Sequence, residues 1–185
     1  MSYDKYSKED VRAVFDHLGG EAVVDGIIAR TMTATIHRNC DIAVARKMLV
    51  DYDQALSELF KHGKYTPASE YLTDEGFPST GMGKKEVEFI PFNFNDSMDL
   101  ATVIEAMKKD GCRPATTKEN LTYGVKFHGR HDQAMIALGT VVKIYSHPNV
   151  TFIDWNSMGQ HVVDLTLADA KFTYNCQYLG VRLVT

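Results

Sequence analysis

Four runs rich in β-branched and aromatic residues close this sequence and constrain its fold more than anything before them. They cover residues 134–145, 151–155, 161–167 and 174–184, with turn residues such as Pro148-Asn149 and the stretch 156–159 between them. That spacing predicts successive strands joined by short turns. Two helices are expected ahead of them. Leu100, Val103, Ile104 and Met107 fall at i, i+3, i+4 and i+7, behind Ser97 or Asp99 as a cap. Lys108-Lys109 suit the dipole at the far end, and Gly111 stops the element. Thr116-Thr117-Lys118-Glu119 is a capping box that opens the second helix, through about Lys126. A strand over 86–94 precedes both, with Val87, Phe89 and Pro91 alternating against Glu86, Glu88 and Ile90. Helices followed by a run of strands imply an α+β fold with a mixed or antiparallel sheet.

The N-terminal part reads differently. Ser7 can cap a helix carrying Val11, Val14, Phe15 and Leu18, which Gly19-Gly20 ends. Residues 31–37 are β-branched and predict a strand, whereas 43–49 hold helix formers and only 48–50 suggest a strand. A short helix is expected over 54–62, with Asp53 as N-cap and Gly63 just past its end. Pro67, Pro78 and several glycines punctuate residues 64–84. The division expected is a mostly helical region 1–63, a connector 64–84 and an α+β domain 85–185.

The 185 residues hold 20 basic and 24 acidic side chains, a formal charge of −4. This mild acidity argues against a nucleic-acid binder, which usually carries a basic face. No apolar run is long enough for a transmembrane helix and no leader is visible, so no membrane partner and a cytoplasmic location are expected. Cys40, Cys112 and Cys176 are odd in number and far apart, which favours reduced thiols over a disulfide framework.

Several short elements come in a recognisable order. They are Glu86-Val87-Glu88-Phe89, Phe92-Asn93-Phe94, residues 104–111, Arg113-Pro114-Ala115-Thr116 with Glu119, Ala137-Leu138-Gly139, and Tyr178-Leu179-Gly180-Val181-Arg182. Upstream, Val50-Asp51-Tyr52-Asp53 and Gly63-Lys64-Tyr65 fit the same series. Over residues 49–185 the chain resembles a family of uncharacterised proteins from bacteria and their phages, with Arg-Pro-Ala-Thr as its most specific element. That family implies no catalytic residues. Arg113-Pro114-Ala115-Thr116 and Gly180-Val181-Arg182-Leu183-Val184 also look like elements of the C-type lectin-like fold, shared by formylglycine-generating enzymes and by variable proteins of phages and retroelements. The calcium motifs of true lectins and a copper-binding cysteine pair are both missing. The fold hosts enzymes and binding modules alike, so it implies no single function.

Candidate site residues emerge from their chemistry. Trp155, flanked by Asp154 and Asn156, can stack on a sugar or base while its neighbours hydrogen-bond it, and Tyr174 could line the same surface. The plainer reading is a tryptophan at a strand end. Arg113 and Arg182 offer planar forks for a carboxylate or phosphate, or else pair with Asp154, Asp164 or Glu119 inside the protein. His128 and His131, three apart, could ligate a metal with His147 or His161; Gly129 between them suggests a solvated loop instead. Arg113 beside Cys112 could lower its pKa, but no base is placed to make it a nucleophile. Glycine-loop and GxSxG signatures are lacking. The expectation is a non-enzymatic binding module, phage- or mobile-element-associated, with no cofactor and a protein or small polar ligand as partner. The alternatives are a small hydrolase or transferase built on His128 and His131, and a structural subunit of a homo-oligomer.

Overall fold

Strand β9 (Cys176–Leu183) organises the molecule, because three other strands pair with it. The computed structural model describes residues 33–37, 40–94, 97–127, 133–171 and 176–184. Along one edge of β9 runs β4 (Lys84–Asn93), antiparallel, from Val87 opposite Leu183 to Asn93 opposite Gln177. On the other edge β6 (Ala134–Ile144) runs parallel to its first residues, Ala134 opposite Cys176 and Ile136 opposite Tyr178. β6 then leaves, and the two-residue β5 (Arg113–Pro114) takes that edge opposite Val181 and Gly180. The sheet is thus split between β9 and β6, with β5 wedged into the split.

Outward from β4 lie β2 (Cys40–Asp51) and β1 (Thr33–His37). Outward from β6 lie β7 (His147–Trp155), β8 (His161–Leu167) and β3 (Thr66–Pro67). Among the described residues only the β6–β9 and β3–β8 pairs are parallel, so the sheet is mixed and the α+β expectation holds.

Alternation along each strand feeds two cores, one per face. On the first face α1 (Leu56–Gly63) and α3 (Thr117–Lys126) bury Leu56, Leu59 and Leu121 against Phe89, Met135, Leu179 and Val181. On the second, α2 (Leu100–Lys109) buries Val103 and Met107 against Ile90, Phe92, Ile136 and Tyr178. Both predicted C-terminal helices form. Asp99 caps α2 by accepting from the Thr102 amide, and Thr116 and Glu119 complete the capping box of α3. No helix among the described residues is long and apolar enough to cross a membrane.

The N-terminal expectations need correction. Residues 43–49 are not helical: β2 is one strand, with Met48 and Val50 in the core and Leu49 facing away, which is a period of two. The strand expected over 31–37 matches β1. The helix expected over 7–18 lies outside the described residues, so a mostly helical region 1–63 gains no support, and its described part holds two strands and one helix. Asp53 does not cap α1; it accepts from the Gly83 amide at 3.0 Å. The N-cap is Ala55, which has no acceptor, and Asp74 reaches the Leu56 amide instead at 3.1 Å. Nor is 64–84 a loose connector. Tyr65, Leu72 and Phe77 are buried in the same core as Phe89, and β2 pairs with β4 from Arg46–Phe89 to Asp51–Lys84.

The split depends on one glycine. Where β6 crosses the end of β5, the Gly139 amide donates to the Ala115 carbonyl at 2.7 Å. A Cβ there would lie 2.5 Å from the Pro114 oxygen and 2.7 Å from the Ala115 oxygen, both backbone atoms that cannot swing aside. Gly139→Ala is therefore expected to lose about 1–3 kcal/mol by overpacking. A urea midpoint unchanged from the parent protein would contradict this.

Candidate functional site

The capping box does more than start α3. To receive the Thr116 amide at 2.7 Å, the Glu119 carboxylate folds back towards β5. There Arg113 meets it end-on, with Nη1 donating to Oε2 at 2.8 Å and Nη2 to Oε1 at 2.6 Å. The Tyr52 hydroxyl, from the turn after β2, also donates to Oε1. Glu119 is 0% exposed, so these donors replace water entirely. Burial alone would raise its carboxyl, but the paired N–H bonds and charge of Arg113, with the Thr116 amide and Tyr52 hydroxyl, hold it below the ordinary carboxylate range. Burial, and then the bond to Glu119, push the Tyr52 hydroxyl far up, so it remains a donor at neutral pH.

Lys118, next in the helix, is also buried. Its ammonium donates to the Tyr52 carbonyl at 3.0 Å and pairs with Asp74 at 3.1 Å. Tyr52 is thus held at both its carbonyl and its hydroxyl, and α3, β5 and the turn after β2 are tied into one network.

A cleft of about 470 Å³ opens over this network at the sheet split. Tyr52, Gly81, Lys85, Arg113, Thr116 and Leu183 are among the residues that line it. Gly81 packs closely on the Tyr52 ring, where a Cβ would approach to 2.7 Å. The Arg113 side chain remains 44% exposed although its charge is paired. It also donates to the Pro114 carbonyl at 3.1 Å, so its plane is fixed from two sides.

The expected site residues fall at two ends of the sheet. Arg113 is at the split. Arg182, on β9 nearby, pairs with Glu88 at 3.3 Å and donates to the Asp110 carbonyl at 2.9 Å, so neither Asp154 nor Asp164 is its partner. Trp155 ends β7. Ile153 is level with Met135 and Met135 with Gln177, so Trp155 and Arg182 stand seven residues apart along the sheet. At about 3.3 Å per residue that is about 23 Å. Trp155 and Arg113 therefore do not share one surface. The indole packs edge-on against His161, 5.0 Å between centroids, with its ring nitrogen buried. Asp154 accepts from the Trp155 amide, and Asn156 organises the following turn by accepting from the Met158 and Gln160 amides. Tyr174, His128 and His131 lie outside the described residues. His147 and His161 face opposite ends of the β7–β8 pair, so at most one could join a site with His128 and His131. Among the described residues no three His, Cys, Asp or Glu side chains come together as metal ligands. The cation that touches Cys112 is Arg182, at 3.9 Å, and burial leaves the thiol raised rather than lowered.

The sequence reading missed Tyr52, Lys85, Gly139, Lys118 and Asp74 as members of the site. One signal was available for Glu119. A capping-box glutamate turns its carboxylate towards the residues before the helix, which brings it near Arg113, six positions back. Comparison of the chain with protein-family models, with curated proteins and with solved structures finds no match.

Proposed function

We propose that the chain is a non-enzymatic binding module, phage- or mobile-element-associated and lectin-like over 85–185, which takes its ligand in the cleft at the sheet split. The observation that carries the reading is Arg113: half-exposed on the cleft wall, yet fixed in orientation by a carboxylate with no exposure of its own. A donor held in place before the ligand arrives loses little freedom on binding, which is how a small contact yields useful affinity. The lectin-like part of the proposal is supported by the order of elements, with α3 opened by Thr116, three strands after it and a last strand carrying Arg182.

The test is amide chemical-shift mapping of the full chain against anionic, neutral and cationic small molecules. Anionic compounds are expected to move Gly81, Lys85, Thr116 and Gly139 and to be recovered chemically unchanged. Lys85→Gln should weaken them about tenfold, the effect of one lost charge-assisted contact, with stability within about 0.5 kcal/mol of the parent. Shifts confined to the Trp155 and His161 end, or turnover of a bound compound, would sink the reading.

A further inference from the structure

The walls of the same cleft define what it can hold. Its charges are Arg113 and Lys85 against the buried Glu119, a balance of one positive charge. A ligand with a single negative charge neutralises that balance. A dianion would place its second charge near the ionised Glu119 carboxylate, which repels it.

The guanidinium geometry adds shape. Glu119 and the Pro114 carbonyl take three of the N–H bonds of Arg113, all on Nη1 and Nη2. Of the five that arginine carries, Nε–H and one Nη2–H are not used by Glu119 or Pro114, and the Tyr52 hydroxyl lies within hydrogen-bonding reach of this guanidinium. Those two form a second fork along the side of the plane, which matches the two oxygens of a carboxylate.

The rest of the wall is apolar. The Leu183 side chain stands 59% exposed on the cleft, and the ring of Tyr52 and Pro114 also line it. An exposed leucine with the Tyr52 ring and Pro114 next to a fixed cation suits a ligand with an acidic end and an aliphatic body.

We infer that the cleft binds a monocarboxylate bearing an apolar group, its carboxylate on the Nε edge of Arg113 and beside Lys85, its aliphatic part against Leu183. This rests on the cleft being the binding site. The chemistry is shared by a free branched-chain acid and by the C-terminus of a peptide that ends in an aliphatic residue.

The experiment titrates the full chain, by amide shifts, with isocaproate, isocaproamide, inorganic phosphate, and an acetylated tripeptide ending in leucine as free acid and as amide. Isocaproate is expected to move Gly81, Lys85, Thr116 and Gly139 and to bind about tenfold more tightly than isocaproamide, the difference made by a charge-assisted fork. Leu183→Ser and Lys85→Gln should each weaken it while the fold stays intact. A tripeptide acid that binds several-fold more tightly than isocaproate identifies a peptide C-terminus; equal or weaker binding identifies a free acid. Phosphate or isocaproamide binding in the cleft at least as well as isocaproate would overturn the carboxylate inference while leaving the cleft as the site. No shift at the cleft from any of the five probes would overturn both.

Discussion

Replacing Glu119 by Ala is expected to lower stability by about 3–5 kcal/mol, because it removes one partner of a buried ion pair and leaves the other uncompensated. Four donors lose their acceptor at once: both Arg113 nitrogens, the Tyr52 hydroxyl and the Thr116 amide. Arg113 is half-exposed and can recover some water, whereas Tyr52 and Thr116 are buried at the wall of the cleft and recover less. Glu119→Gln keeps the shape and some of the acceptors, so its loss should be smaller. The glutamine variant also has a signature in pH. Glu119 ionises more readily in the folded protein than in the unfolded chain, so its contribution is fully present above the ordinary glutamate value near 4.5. That contribution is lost as pH falls through the lower folded value. Urea midpoints between about pH 3 and 7 should fall more steeply for the parent than for Glu119→Gln. Asp99, held low chiefly by the Thr102 amide it caps, supplies part of the slope that remains. Equal slopes for the two proteins would show that Glu119 is not the carboxylate that matters.

The C-terminal half was legible because each of its elements carries a local signal. Asp99 and Thr116 with Glu119 mark helix starts by chemistry that acts within four residues, and the branched runs after residue 133 are strands by period. β2 was obscure for a physical reason. Ala43, Ala45, Arg46 and Lys47 are good helix formers, and the strand exists because its partner β4 holds it in register, which no local signal reports. The cap of α1 failed in the same way. Asp53 has the right side chain at nearly the right place, but the acceptor that reaches the helix comes from Asp74, eighteen residues beyond Leu56. The site was half legible. Arg113 and Glu119 stand in one motif, whereas Tyr52, Lys85 and Gly139 reach the cleft only through the sheet split, a long-range feature with no local pattern.

The segment 64–84 separates the two readings of the chain most sharply. A connector there would tolerate Phe77→Ala with a change within about 0.5 kcal/mol, as surface substitutions do. The structure buries Phe77 with Phe89 and Leu121, and deleting a buried ring of that size leaves a cavity worth about 3–5 kcal/mol. Asp74, three residues earlier, bonds the Leu56 amide and pairs with Lys118, so loosening the segment also loosens the start of α1 and the support of Tyr52. The same logic sets the fate of residues 84–185 alone. That fragment lacks nine of the nineteen buried members of the first core, from Met48 to Phe77, and exposes the edge of β4 that β2 covers. A small domain has only about 5–15 kcal/mol of stability in total, far less than the loss of half a core removes. The fragment is expected to give a collapsed amide spectrum and no cooperative thermal transition, and Phe77→Ala in the full chain a single transition at markedly lower urea. A fragment that folds cooperatively, or a Phe77 variant as stable as its parent, would restore the boundary at 64–84 and make the upstream strand and helix an appendage to an independent domain.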